Sequence, residues 1–150
     1  MKKHTFVAIA MMLSIPQGLG ENLETPAQVA PPSETECLSK VIYFEARGEP
    51  VEGQIAVGQV VLNRVRSRLY PNGICQVIEQ QNQFAPKIQI TEPEAYNKAR
   101  SIALFVLSGA PDLSNGSTHF FAYKTVNPFW SQHIEHRADI GSHRFMREVR

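Results

Sequence analysis

The spacing of apolar residues changes character at Pro111, and that change most limits the folds open to this chain. Before it, apolar side chains recur at steps of three and four; after it, short aromatic-rich segments alternate with turn signals. Helices first and strands last predict an α+β domain with N-terminal helices and a small C-terminal antiparallel β-sheet. A parallel sheet would need the two kinds of element to alternate. No internal repeat is visible.

Leu38, Val41, Ile42, Glu45 and Ala46 lie on one stripe of a first helix, which Ser33 or Thr35 can cap and which Gly48 stops ahead of Pro50. A second helix follows with Pro50 in its first turn, and Val51, Ile55, Leu62, Val65 and Leu69 form its buried stripe. Gly53 and Gly58 cost it intrinsic stability but leave room for a neighbouring helix to come close. Tyr70-Pro71-Asn72-Gly73 is a turn, and residues 74–80 form a short helix carrying Cys75. An amide-rich loop spans 80–86, and a third long helix spans 92–108, ended by Gly109 and Pro111. Beyond the Asn115-Gly116 turn, strands are expected at 118–123, 130–136 and 144–147, with residues 138–141 turning between the last two.

Residues 1–20 read as a secretory signal peptide. Lys2, Lys3 and His4 form a basic head, residues 6–15 an apolar run, and Gly18 and Gly20 a cleavable end. The run is too short for a bilayer, which needs about 20 apolar residues, so no stable membrane insertion is expected once it is removed. Residues 21–34 hold three prolines and three glutamates and read as a flexible linker, which leaves 35–150 as the folded domain. Export to a periplasmic or extracellular space gives the two cysteines a meaning, because thiols pair in oxidising compartments. Cys37 and Cys75 are therefore expected to form a disulfide, with two buried free thiols as the alternative.

Fifteen Lys and Arg against fourteen Asp and Glu give a net charge of +1. No global field then points to nucleic acid or an anionic membrane, and function must come from a local site on what is expected to be a monomer. The most informative residue is Glu45, a carboxylate on an apolar stripe. Desolvation penalises an ionised carboxyl, so a group so placed can keep a proton and deliver it as a general acid. The competing reading is a structural ion pair with Arg47, Arg64 or Arg137. Glu49, between Gly48 and Pro50, reads as a loop anchor or cap more readily than as a reacting group. No second carboxylate stands out to complete a glycosidase pair: Asp112 and Asp139 sit in turn-like contexts, and Glu79 and Glu135 lie in segments with no sign of burial. If sugar chemistry occurs, one acid works alone, protonating the leaving oxygen and then taking a proton from the sugar's own hydroxyl.

The segment YFEARGEPVEGQIAVGQVVLNRV, residues 43–65, resembles the signature of the SleB/CwlJ family of bacterial cell wall hydrolases. The likeness continues through Tyr70-Pro71, Gln83-Phe84, HFFAY and IGSHRF. It implies a lysozyme-like fold, with Glu45 at the position of the acid and base. It also implies cleavage of the MurNAc-GlcNAc bond of peptidoglycan as a lytic transglycosylase that leaves 1,6-anhydro-muramyl ends. Ordinary peptidoglycan is expected rather than spore cortex, since these residues show no separate glycan-binding repeat and a disulfide suits a periplasm. The alternatives are an N-acetylmuramyl-L-alanine amidase and a non-catalytic peptidoglycan-binding domain.

A polysaccharide needs flat rings against its apolar faces and amides for its hydroxyl and acetamido groups. Gln83 and Phe84 offer both in one loop. Tyr123 is a phenol that can stand near the reacting sugar or simply pack. His119, Phe121 and Tyr123 share one strand face and Phe120 and Ala122 the other. Trp130 is a sugar platform or a core plug, and Asn63 orients Glu45 or caps a buried backbone group. His133, His136 and His143 cluster in sequence, but a three-residue step in a strand separates the first two onto opposite faces. No metal and no cofactor is expected.

Overall fold

The computed structural model describes residues 31–80, 84 and 89–148. The expected signal peptide, most of the expected linker and Gln83 lie outside the described residues.

Helix α1, Glu34–Ala46, starts where Ser33 Oγ accepts the Glu36 N–H, with Glu34 and Glu36 at the positive end of its dipole. The expected linker boundary therefore falls one residue inside this helix. Leu38, Val41, Ile42, Tyr43 and Ala46 are buried. Helix α2, Val51–Arg66, begins directly after Pro50, which stands at the cap position rather than inside the first turn. It packs against α1, and Gly58 makes this possible: a Cβ there would lie 3.2 Å from Val106 Cγ2 and 3.3 Å from Ile42 Cδ1. Two buried amides tie α2 to its surroundings, Gln54 donating to the Glu49 carbonyl and Gln59 to that of Ala110.

Helix α3, Ile74–Glu79, buries Ile74 and Val77 and brings Cys75 to Cys37, with which it forms a disulfide at a Cα separation of 5.4 Å. Helix α4, Pro93–Leu107, carries its proline in the first turn and lays Ala99, Ile102, Ala103 and Val106 onto α1 and α2. The buried Tyr43 hydroxyl accepts the N–H groups of Thr91 and Glu92, fixing the entry to α4.

Strands β1 (His119–Ala122), β2 (Glu135–Ile140) and β3 (His143–Arg147) form an antiparallel sheet in the order β1-β3-β2. The register opposes Phe120 to Phe145 and Ala122 to His143, so these share the face toward the helical core. His119, Phe121, Arg144 and Met146 take the other face, in keeping with the expected alternation.

Two local expectations are corrected. Residues 129–133 form a 3-10 helix, Phe129–His133, instead of a strand. Pro128 has no N–H to give a ladder, and its carbonyl accepts both the N–H and the hydroxyl of Ser131, which closes a tight turn. Residues 138–140 belong to β2, and the reversal occurs at Gly141 and Ser142 instead. Asp139 is thus a strand residue, held by Arg144 through two 2.8 Å bonds, and the ladder is irregular between His136 and Ala138.

Candidate active site

Glu45 stands one turn on from Val41 and Ile42 near the end of α1, and it is half-buried. It opens onto a cavity of about 260 Å³ whose walls include Phe44, Ile78, Glu79, Phe84 and Ile90. The structure therefore brings together two carboxyl groups, two aromatic rings and aliphatic surface. Phe84, expected to meet substrate, lies in the same wall, and its ring also faces the Arg64 guanidinium at 5.0 Å.

The arginines weighed as ion-pair partners of Glu45 each make another contact. Arg47 pairs with Glu92 at 2.8 Å, Arg64 Nε donates to the Thr118 carbonyl at 2.7 Å, and Arg137 pairs with Glu135 at 2.9 Å.

Behind Glu45 the chain turns through Glu49, whose Oε2 accepts the Ser142 N–H at 2.8 Å and whose Oε1 accepts the Ser142 hydroxyl. Burial works against ionisation of Glu49, but these two bonds, with help from His143 and Lys124, outweigh it and hold its carboxyl below the usual range. Glu49 is thus the anchor of the β2–β3 turn. His143, next in sequence, is 7% exposed and packs against Phe120 at 5.1 Å. Burial pushes its imidazole down, against the pull of the Glu49 and Glu45 carboxylates.

Asn63 belongs to a different cluster. Its amide nitrogen lies 2.9 Å from Asp112 Oδ2 and 3.1 Å from both Ser114 Oγ and the Ser117 carbonyl, which makes it a brace for that loop. Asp112, as expected of a turn residue, also accepts the N–H groups of Ser114 and Gly116. Burial opposes its ionisation, and the bonds from Ser114, Asn63 and Gly116 more than offset that.

Tyr123 and Trp130 lie on the outer side of the sheet. The Arg144 guanidinium sits 4.7 Å from the Tyr123 ring centroid, and Tyr123 lines a separate cavity with Phe121 and His136. Trp130 is 39% exposed and rests on Phe121 and His119 at 5.4 and 5.5 Å, which is not the position of a core plug. His133 ends the 3-10 helix while His136 lies in β2, bonded to Asp139. Among the described residues no group of three or more His, Cys, Asp or Glu is arranged to hold a metal ion.

Two members of the site escaped the sequence. Glu79 is exposed yet lines the Glu45 cavity, because the disulfide draws α3 alongside α1. His143 reaches the neighbourhood of Glu45 only through the pairing of β3 between β1 and β2.

Residues 48–146 match the family described as Cell Wall Hydrolase; the match starts three residues after Glu45. A spore cortex-lytic enzyme of Oceanobacillus iheyensis is 32% identical over 89% of this chain and 44% of its own length. The spore cortex-lytic enzyme of Bacillus subtilis is 33% identical over 72% of this chain and 35% of its own length. The chain thus spans less than half the length of these relatives. Among solved structures, the catalytic domain of the germination-specific lytic transglycosylase SleB from Bacillus anthracis superposes with a TM-score of 0.67 at 28% identity. That likeness covers 89% of this chain and all of that one.

Proposed function

The chain belongs to the cell wall hydrolase family, and from that premise we propose that it is an exported enzyme that cleaves the MurNAc-GlcNAc bond of peptidoglycan as a lytic transglycosylase. The observation that carries the reading is Glu45: a half-buried carboxyl on the apolar side of α1, opening onto a cavity walled by Phe44 and Phe84. Aromatic walls suit the apolar faces of sugar rings. The similarity to the SleB catalytic domain supports the same reaction class.

In this mechanism the protonated Glu45 gives its proton to the glycosidic oxygen as the bond to the muramyl C1 breaks. The C6 hydroxyl of the same muramyl ring then closes on C1, and its proton passes to the Glu45 carboxylate. The ring closure yields the 1,6-anhydro end and restores the acid, so no enzyme nucleophile and no activated water is consumed. In this reading Phe84, in the wall of the Glu45 cavity, stacks on the glycan, and Gln83, Tyr123 and Trp130 are further substrate contacts assigned from the sequence. The nearly neutral chain suits a neutral sugar backbone better than a polyanion.

The deciding experiment is incubation of the purified protein, without residues 1–20, with peptidoglycan sacculi, followed by mass spectrometry of the products. Anhydro-muropeptides are the expected result. Reducing muramic ends would replace transglycosylation by hydrolysis, free stem peptides would make the protein an amidase, and intact glycan would leave a binding domain.

A further inference from the structure

A second cavity, about 630 Å³ in volume, opens between the C-terminal end of α2 and the end of β3. Arg66 and Arg68 line it from α2 and the residues just beyond, Arg147 from β3, with Asn63, Tyr70 and Thr118 between them. Three exposed arginines line it in a chain whose total net charge is only +1, and Glu148 is the one carboxylate in the lining. None of the three arginines makes an ion pair among the described residues.

Arg147 shows how this comes about. The residue opposite it on β2 is Glu135, the natural cross-strand partner, but Glu135 gives its carboxylate to Arg137. The Arg147 guanidinium is seated instead against Gly116, where a Cβ would come within 2.7 Å of Nη1. Gly116, at φ 77, and Asn115, at φ 53, shape the turn that forms this seat. Beneath Thr118 and Tyr70 lies a fourth guanidinium, Arg64, which is 4% exposed and whose Nη1 has no hydrogen-bond partner among the described residues. A buried charge acts through a lower dielectric than a solvated one, so Arg64 adds to the positive potential of the cavity. Compensation of the negative end of the α2 dipole accounts for Arg64 and Arg66, in its last turn; it does not account for Arg147, which arrives from the sheet.

We propose that this cavity is a carboxylate-binding subsite that receives the acidic peptide stems carried by the glycan strand. The inference rests on the peptidoglycan reading above, for the stem is the part of that polymer that bears carboxylates. Guanidinium groups bind carboxylates in paired, planar hydrogen bonds, and several such groups can engage a flexible stem with more than one acidic group. The neutral sugars then lie on the apolar walls near Glu45, and the stems are read by arginine.

The test is calorimetric titration of the folded protein with a synthetic stem peptide bearing free carboxylates, with the same peptide fully amidated, and with inorganic phosphate. The free-carboxylate peptide binds, and amidation or the combined substitution Arg66→Gln, Arg68→Gln and Arg147→Gln weakens binding by about tenfold or more, as expected for loss of charge-assisted hydrogen bonds. Arg100→Gln, a charge control on α4, leaves peptide binding as it was. The KM for intact sacculi rises in the triple variant. Equal binding of free and amidated peptides, an unaffected triple variant with a native circular dichroism spectrum, or tighter binding of phosphate than of peptide would each overturn the subsite. Peptide binding is read without catalysis, so a protein that releases anhydro-muropeptides but ignores the peptide refutes the subsite alone. One that binds the peptide but leaves glycan intact supports the subsite and refutes the cleavage reaction.

Discussion

The Glu49 carboxylate grips Ser142 from both oxygens, one on the backbone N–H at 2.8 Å and the other on the hydroxyl. Residue 49 follows the end of α1 and residue 142 reverses the chain between β2 and β3, so this contact ties the helix carrying Glu45 to the strand carrying His143. Gly141, at φ 62, lets the two approach, for a Cβ there would run into Glu49 Oε2 and come within 2.8 Å of Pro50 Cδ.

Glu49→Gln removes the charge from both bonds, and its expected cost is about 1–3 kcal/mol of folding stability. Gly141→Ala is expected to cost at least as much, since a left-handed alanine alone costs about 1–2 kcal/mol before the clash with Glu49 is added. Urea denaturation of both variants checks this. Midpoints equal to the parent protein's would remove the anchor role.

Buried imidazoles make stability depend on pH. His143 and His119 are both held below their ordinary value of 6.5, chiefly by burial. As pH falls through 6.5 the unfolded chain binds protons that the folded chain refuses, so stability falls on the acid side and is complete above it. A second loss begins below the ordinary carboxyl range, where Glu49, Asp112 and Asp139, all held low, must be protonated in the unfolded chain first. Denaturation midpoints at pH 8, 6.5 and 5.5 should decline in that order, and His143→Gln should flatten the decline. A midpoint that rises toward pH 5.5 contradicts the assignment.

The Cys37–Cys75 bridge closes a loop with a sequence separation of 38. Chain entropy assigns such a loop about 4 kcal/mol of stabilisation as an upper figure. Reduction, or replacement of both cysteines by alanine, should lower the thermal midpoint and weaken lysis, because α3 carries Ile78 and Glu79 of the Glu45 cavity. Equal midpoints with and without reductant would show that packing alone holds α3.

The features legible in the sequence were those with local causes. Ser33 as one of two candidate caps, Gly58 as a place of close approach and the Asn115-Gly116 turn each follow from local chemistry. The cysteine pair was legible once an oxidising compartment was expected, where two thiols have few alternatives to pairing. What stayed hidden depends on distant partners. EHRADI is poor in strand-forming residues, and it becomes β2 through pairing with β3 and the Asp139–Arg144 bridge. Asn63, which follows the apolar run Val60-Val61-Leu62, signalled a polar task, but its partners Asp112, Ser114 and Ser117 lie about fifty positions away. Glu79 carried no signal at all: it is exposed on a short helix and meets the Glu45 cavity only because α3 is tethered there.

Glu79 therefore supplies the sharpest test of a single-acid mechanism, because two carboxylates now line one cavity. Glu45→Gln is expected to lower lysis by about 10²- to 10⁴-fold, the usual worth of a general acid and base. The variant should keep a native circular dichroism spectrum, since an amide of the same shape replaces the half-buried carboxyl. Glu79→Gln is expected to keep both lysis and the anhydro-muramyl product, because ring closure by the C6 hydroxyl needs no second carboxylate to activate water. Mass spectrometry of sacculus digests by the two variants decides between the mechanisms. If Glu79→Gln abolishes cleavage, or if the parent protein's products carry reducing ends that the variant fails to make, Glu79 is the base of a hydrolase.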